Sequence, residues 1–246
     1  MPVKQINAST NFIILADLDI LFEDNHILAI SKPNNKLVQK DITGDIALVD
    51  EARKYIKEKY HKPGDVFLGV VHRLDRPVSG VLLFARTSKA LTRLNKMFRD
   101  GEIKKKYWAI VKNKPPGMSD TLSDYLLRNQ KQNKSYCYNE EIKGSKLAIL
   151  DYKLIGTSDR YFLIEVELKT GRHHQIRAQL ANIGCPIKGD LKYGFPRSNP
   201  DGGISLHARS LSFIHPVTKN SIDLIAPTPS NEKLWKILSS TIRETD

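Results

Sequence analysis

One carboxylate in this chain stands between two arginines, within a short polar segment. Asp75 lies between Arg73 and Arg76, and His72 precedes them. An ionised carboxylate can attack a carbon atom or remove a proton, and a nearby arginine lowers the pKa of a carboxylate and fixes its orientation. The same residue types also suit a surface loop with a local ion pair, which is the commoner arrangement in proteins. The segment predicts a candidate catalytic carboxylate, with that structural alternative beside it.

A second polar cluster, Gly-Arg-His-His-Gln-Ile-Arg at residues 171–177, opens a predicted helix. The apolar residues of this helix recur at helical spacing, with a glycine past the end: Ile176, Leu180, Ile183 and Gly184. A helix N-terminus attracts anions through its free N–H groups. His173 and His174 are adjacent and do not share a helix face, so they are a poor metal pair and we expect no metal there.

The residues around Asp75 indicate a loop between two buried strands. Apolar residues lead in at 70–71 and lead out at 81–85, and Pro77-Val78-Ser79-Gly80 supplies a turn. Flanking strands hold a loop rigidly, which is how a site residue is usually presented.

The remaining periodicity predicts one α+β domain with much β-structure. Strands are expected within 20–33 (two, joined by a turn), 102–111, 147–155, 161–168, 204–213 and 222–226. Helices are expected at 46–60, at 87–101, within 169–184 around Ile176, Leu180 and Ile183, and from 231 onward. No internal repeat and no low-complexity linker divides the chain.

Residues 113–146 are polar and poorly periodic, so we expect a long excursion from the core, with a short helix at Leu122 to Leu127. The excursion interleaves cations with tyrosines: Arg128, Lys131, Lys134, Tyr136 and Tyr138. Nucleic-acid bases stack on aromatic rings, so RNA contact suits this composition. An ordinary mobile loop suits it equally well.

The charge balance indicates a polyanionic partner. The chain of 246 residues has 39 Lys and Arg against 27 Asp and Glu, a formal net charge of +12. Nucleic acid is the first expectation and an anionic membrane surface the second. Cys137 and Cys185 imply neither a zinc site nor a disulfide framework, and a cytoplasmic location is expected. We see no signal peptide and no membrane-spanning run. Of the two candidate partners, nucleic acid is therefore expected and a membrane is not.

Several sequence islands occur in an order that resembles the RluA family of pseudouridine synthases. The islands are His72-Arg73-Leu74-Asp75 with Ser79-Gly80, Lys106-Tyr107, residues 171–177, residues 184–190 with Tyr193-Gly194, and Leu206-His207-Ala208. The resemblance runs from Ile20 to Pro227. It implies an enzyme that detaches uracil from its ribose within RNA, rotates it and rejoins it through carbon 5. It implies neither a cofactor nor a metal.

The resemblance also implies roles for individual residues. Asp75 matches the catalytic aspartate, and Tyr107 matches the tyrosine that packs on the base and is proposed to handle its proton. Arg177 matches the basic residue that pairs with the catalytic carboxylate, and Leu206 matches an apolar residue of the base pocket. Further residues are expected to contact RNA or to support the site: Arg73, Arg76, Lys106, Arg172 and His174. Three actions of Asp75 stay open: attack on the sugar, attack on the base, or removal of a sugar proton.

The implied fold is a pseudouridine synthase-like catalytic domain with a large mixed, mainly antiparallel sheet, flanked by helices and loops around a central cleft. Residues 20–246 are assigned to this domain and residues 1–19 to an N-terminal extension, too short for the S4-type RNA-binding module that many members carry. The chain departs from the family pattern at Val78 and His173, where Thr is usual, and at residues 34–36. No departure removes a reacting group, so these positions bear on substrate preference.

Three functions are considered for this sequence. The first is a synthase that modifies specific uridines in structured rRNA or tRNA, the second a catalytically silent RNA-binding protein that keeps the fold, and the third a hydrolytic nuclease. Intact Asp75, Tyr107 and Arg177 favour the first. The nuclease lacks metal-ligand spacing and an ordered acid and base.

Overall fold

The computed structural model describes residues 18–40 and 44–242. The strands are β1 (Ile20–Glu23), β2 (Ile27–Lys32), β3 (Gly69–Val70), β4 (Ser79–Ala85), β5 (Lys104–Val111), β6 (Ser119–Asn129), β7 (Lys134–Tyr138), β8 (Lys146–Thr157), β9 (Phe162–Leu168), β10 (Leu206–Ile214) and β11 (Ser221–Ile225). The helices are α1 (Leu48–Lys59), α2 (Ser88–Arg99), α3 (Gln175–Asn182) and α4 (Lys233–Ser239), with a short 3-10 helix at Leu191–Tyr193.

One sheet joins these strands in the order β1-β2-β4-β10-β5-β9-β8-β6-β7, with β11 beside β10 and β3 beside β4. Every pairing is antiparallel except that of β4 with β10, among the strands the structure describes. The predicted α+β class, with its large mixed and mainly antiparallel sheet, is confirmed. Most of the proposed extension, residues 1–17, lies outside the described residues.

The parallel pairing of β4 with β10 depends on a glycine and a buried hydrogen bond. Gly80 has a φ of 114°, and a Cβ there would stand 2.2 Å from the carbonyl oxygen of Ala208, so only glycine permits this approach. Ser79 Oγ lies 2.9 Å from His207 Nδ1. Burial lowers the pKa of His207 to about 4, so the imidazole is neutral at pH 7. This junction fixes the end of the Asp75 loop against the strand that begins at Leu206.

The two faces of the sheet are covered by different helices. Ile176 and Leu180 of α3 join the core cluster that contains Ala109, Ile164 and Val166 of the central strands. Burying each of those two helical side chains contributes about 1.5–3 kcal/mol. Residues from α4 and the central strands form the cluster on the other face: Trp108, Ile110, Leu163, Trp235 and Leu238. Helix α3 is therefore held on the face from which Tyr107 also projects, because Tyr107 alternates in phase with Ala109 along β5.

The prediction for residues 113–146 was wrong in its secondary structure. Leu122 to Leu127 is part of strand β6, not a helix, and β6 and β7 form a hairpin that extends the sheet beyond β8. The hairpin is tied to α3 because Gln179 Nε2 donates to Asp124 Oδ2 at 2.7 Å. No helix within 18–40 or 44–242 has the length and apolar character needed to span a membrane.

Candidate active site

Asp75 lies in a cleft of about 430 Å³ between the central strands, the loop before β4 and the start of α3. Residues from four of the five sequence islands line it, the exception being residues 184–190 with Tyr193-Gly194: Arg73, Leu74, Asp75, Val78, Tyr107, Leu168, Arg172, His174, Gln175, Ile176, Arg177 and Leu206. The side chain of Asp75 is one-third exposed (33%), so a bound molecule can reach its oxygens. The fold therefore brings segments far apart in sequence to one cavity around a carboxylate.

Arg177 connects Asp75 to a second, deeply buried carboxylate. Its Nη1 donates to Asp75 Oδ2 at 3.1 Å. Its Nε and Nη2 donate to the two oxygens of Asp190 at 2.7 and 2.9 Å. Asp190 is 1% exposed, and a two-pronged guanidinium–carboxylate pair of this kind fixes geometry as well as charge. Asp190 thus fixes the plane of the guanidinium group, and Nη1 of Arg177 fixes the orientation of Asp75.

His174 occupies a strained position next to this pair. It precedes α3 with φ 53° and ψ 25°, the left-handed region that residues other than glycine rarely adopt. Its Nε2 accepts from Arg177 Nη1 at 2.9 Å, and its Nδ1 lies 3.1 Å from the hydroxyl of Tyr193. Burial, followed by the charge of Arg177, lowers the pKa of His174 to about 2. A neutral His174 does not pair with Asp75, although its Nε2 is 3.3 Å from Asp75 Oδ2, so Arg177 is the cation that balances Asp75.

Lys32 is a site residue that the sequence analysis did not identify. The side chain is 1% exposed at the end of β2. Its Nζ donates to the backbone carbonyls of Pro33 at 3.0 Å, Arg76 at 3.0 Å and Val78 at 2.7 Å. Burial lowers the pKa of Lys32 to about 7, while the charge of Asp75 acts in the opposite direction. Two of the three acceptors, Arg76 and Val78, lie within three residues of Asp75, so Lys32 fixes the shape of the loop that presents the carboxylate.

Replacing this amine tests that role. We expect Lys32→Met to lower the free energy of unfolding by about 2 kcal/mol, because buried carbonyls lose their donor. We also expect activity to fall about tenfold or more, because Asp75 is no longer held in one position. Urea unfolding and activity assays measure the two effects. The control is Lys36→Met, an exposed lysine paired with Glu51, which should change stability by less than about 1 kcal/mol. Equal results for the two variants would contradict the assignment.

Tyr107 and Leu206 form the remaining walls of the cleft. Leu206 is buried, and Tyr107 is partly buried against the same core cluster. Burial, followed by the charge of Asp75, raises the pKa of Tyr107, so the phenol stays protonated at neutral pH. An aromatic ring and an apolar side chain in one cleft can hold a flat base by contact without locking one orientation of its polar edge.

The predicted supporting residues divide into two groups. Arg73 and Arg172 line the cleft and are exposed at its mouth. Arg76 points away and pairs with Asp45 at 2.8 Å, and Lys106 pairs with Glu165 at 2.8 Å on the opposite face of the sheet from Tyr107. Neither Arg76 nor Lys106 is among the lining residues of the cleft. The structure therefore brings the first pair to the site and not the second.

Comparison with known proteins gives consistent matches. A family profile described as RNA pseudouridylate synthase matches residues 26–182. The chain is 32% identical over 231 residues to ribosomal large subunit pseudouridine synthase C of Buchnera aphidicola subsp. Baizongia pistaciae, covering 91% of this chain and 71% of that protein. It is 34% identical over 222 residues to tRNA pseudouridine synthase C of Salmonella typhimurium, covering 82% of each chain.

Solved structures agree in fold. The chain is similar to human RNA pseudouridylate synthase domain containing 4, with a TM-score of 0.72 and 23% identity over 87% of this chain and 89% of that one. It is also similar to human RNA pseudouridylate synthase domain containing 1, with a TM-score of 0.71 and 21% identity over 94% and 92%. At these identities the similarity is evidence of a shared fold.

Proposed function

The chain belongs to the RNA pseudouridylate synthase family and is an RNA pseudouridine synthase, and we propose that Asp75 is its catalytic carboxylate. One observation carries the proposal. Asp75 is the carboxylate that lines the cleft, and Arg177 holds it there beside Tyr107 and Leu206.

The reaction exchanges one bond for another without net loss of atoms. The bond from N1 of uracil to C1′ of ribose breaks, and a bond from C5 to C1′ forms. The proton on C5 leaves, and N1 gains one. Asp75 starts this sequence at the nucleotide, as a nucleophile or as a base, and both roles need an ionised oxygen. The Oδ2 atom accepts from Arg177, and the one-third exposure of the side chain leaves the carboxylate accessible to the nucleotide.

The base must remain in the cleft while it turns. We assign the ring of Tyr107 and the side chain of Leu206 to the two sides of the detached uracil, because contact without fixed hydrogen bonds permits rotation. Since the pKa of Tyr107 is raised, its phenol is protonated at neutral pH and can donate a hydrogen bond to the base. Protonation of N1 and loss of the C5 proton then involve Asp75, the phenol or water in the cleft.

Structured rRNA or tRNA is the proposed substrate class. The relatives named above include a ribosomal and a transfer RNA enzyme. A uridine inside folded RNA must leave its stack to enter a cleft, and phosphate contacts compensate for that unstacking. Arg73 and Arg172 at the mouth of the cleft, together with the net charge of +12, suit such contacts. We place the activity in the cytoplasm, where cysteines such as Cys137 and Cys185 remain free.

The test is tritium release from RNA labelled at carbon 5 of uracil. Ribosomal and transfer RNA are taken from cells that lack the protein and are incubated separately with the purified chain. We expect release from one of the two classes, and mapping of pseudouridine in the product identifies the position. If neither class releases tritium, the proposed substrate class is wrong, and binding without release would favour a catalytically silent RNA-binding protein.

A further inference from the structure

His173 lies one ring away from the proposed catalytic carboxylate. It stacks on His174, with ring centroids 3.8 Å apart and planes inclined by 23°. His174 in turn accepts from Arg177, which donates to Asp75. The ring of His173 therefore packs against His174, the neighbour of the guanidinium that orients Asp75, although His173 is not among the residues that line the cleft.

The other edge of the His173 ring contacts the hairpin of β6 and β7. Nδ1 lies 2.9 Å from Ser135 Oγ, and Nε2 lies 3.1 Å from Asn133 Oδ1. Ser135 Oγ also donates to the backbone carbonyl of His173 at 2.7 Å. Both ring nitrogens thus engage the segment 128–135, here called the hairpin tip. A smaller side chain such as threonine or alanine cannot reach both partners while stacking on His174.

The hairpin tip and the adjacent 3-10 helix carry cations without acidic partners. Arg128 Nη2 donates to Asn133 Oδ1 at 3.1 Å, and Lys192 Nζ donates to the carbonyls of Gln132 and Asn133 at 3.1 and 3.2 Å. Neither these two nor Lys131 and Lys134 pairs with a carboxylate in the described part of the chain. Such a set is complementary to RNA phosphates.

These cations lie close to the site as well as to each other. Burial, followed by the charge of Arg128, lowers the pKa of His173, and Lys192 and Arg177 act in the same direction. Asp75 opposes them. Arg128 and Lys192 therefore lie close enough to His173 to act on its charge, as Arg177 and Asp75 of the cleft do.

We propose that His173 is a positioning residue that fixes the hairpin tip against α3, so that RNA held by the tip presents one uridine to Asp75. The inference rests on the proposed function. It adds a second RNA-contact surface, the hairpin tip, and the residue that fixes the position of this surface relative to Asp75. A tip that moved relative to α3 would offer neighbouring uridines as well as the correct one.

The test compares His173→Ala with the wild type as full chains, using two independent readouts. The first is the Kd for a fluorescein-labelled RNA stem–loop with unpaired uridines, measured by anisotropy. The second is kcat and KM for tritium release, with the ratio of pseudouridine at the main position to that at other uridines. We expect Kd and KM to rise about tenfold and the position ratio to fall about tenfold, equivalent to about 1.4 kcal/mol. The rate at saturating RNA should stay within about threefold, because His173 does not touch the reacting atoms.

Four further variants separate positioning from folding. Asn133→Gly keeps the left-handed backbone at that position (φ 46°) and removes the acceptor of Nε2, so it should act in the same direction as His173→Ala. The double variant should lose less than the sum of the two single variants, because both changes remove the contact between Nε2 of His173 and Oδ1 of Asn133. His173→Gln retains a polar side chain and should recover part of the affinity. His61→Asn changes an exposed histidine that has a similar backbone (φ 47°) and should change nothing.

Each outcome supports or overturns the inference. Kd, KM and position ratio within about twofold of wild type in folded His173→Ala and Asn133→Gly would overturn it. A fall in kcat with KM unchanged would also overturn it, because that pattern belongs to the chemical step. If His173→Ala does not fold, the Kd, KM and position ratio of Asn133→Gly decide whether the inference stands. If the wild type releases no tritium from any RNA, the proposed function fails, whereas the Kd comparison still decides the role of His173.

Discussion

Asp75→Asn is expected to reduce the single-turnover rate of pseudouridine formation by more than about 10³-fold. The replacement keeps the size of the side chain and an oxygen that can accept from Arg177 Nη1, which is now 3.1 Å from Asp75 Oδ2. It removes the negative charge that both a nucleophile and a base require. Tritium release from labelled RNA measures the rate, and anisotropy measures RNA affinity, which should stay within about tenfold because the cations at the cleft mouth are unchanged.

The matched control is Asp151→Asn, which makes the same chemical change at an exposed carboxylate. Asp151 pairs with Lys169 at 3.0 Å and is not among the residues of the cleft. Activity of this variant should stay within about twofold of wild type. If Asp75→Asn released tritium at a rate near that of Asp151→Asn, Asp75 would not be the catalytic carboxylate.

Local sequence was sufficient to place Asp75 in a loop between two strands, because the immediate neighbours of Asp75 define that loop. Apolar residues on both sides and the Ser79-Gly80 turn are contiguous with it. The order of the islands then associated Asp75 with Tyr107, Arg177 and Leu206, and the structure brings all four to one cleft. What that order could not supply was the geometry between them, since each island lies on a different element.

The hairpin of β6 and β7 escaped prediction because a charged residue occupies an inward-facing position. Leu122, Asp124 and Leu126 alternate toward α3, and Asp124 interrupts an otherwise apolar series. Its carboxylate is buried because Gln179 and Asn182 of α3 donate to it. A buried carboxylate whose donors lie more than fifty residues away gives no signal in its own segment, so the polar pattern resembled a loop.

Lys32 and Asp190 were missed for a related reason. Each is a charged residue with less than 2% of its surface exposed, which residue type alone does not predict. The partners of Lys32 are carbonyls on the loop after Asp75, separated from it by 44 and 46 residues. Sequence reasoning identifies the residues proposed to react with substrate more easily than the residues that hold those reactive side chains in place. The supporting residues are defined only by contacts formed in the folded chain.

At Arg177, the contribution to folding stability and the contribution to the orientation of Asp75 can be separated by experiment. Arg177→Met leaves Asp190 buried without a cation, and removing one partner of a buried pair typically costs about 3–5 kcal/mol. We therefore expect the free energy of unfolding to fall by that amount, measured with urea. The rate of tritium release should fall by about 10³-fold as well, because Asp75 loses the donor that orients it.

The double variant Arg177→Met with Asp190→Leu distinguishes the two effects. It removes the stranded carboxylate, and an apolar pair can replace a buried ion pair at little cost or with a gain in stability. Most of the lost unfolding free energy should therefore return, whereas activity should not, since Asp75 still lacks its partner. If activity returned together with stability, Arg177 would act only through folding. If neither returned, the loss would lie in packing around α3, where Arg177 also faces the ring of Tyr193 at 5.1 Å. Recovery of stability without activity would mean that the guanidinium of Arg177 has two separate roles. Its pair with Asp190 contributes to stability and fixes the guanidinium plane, and its hydrogen bond to Asp75 orients the catalytic carboxylate.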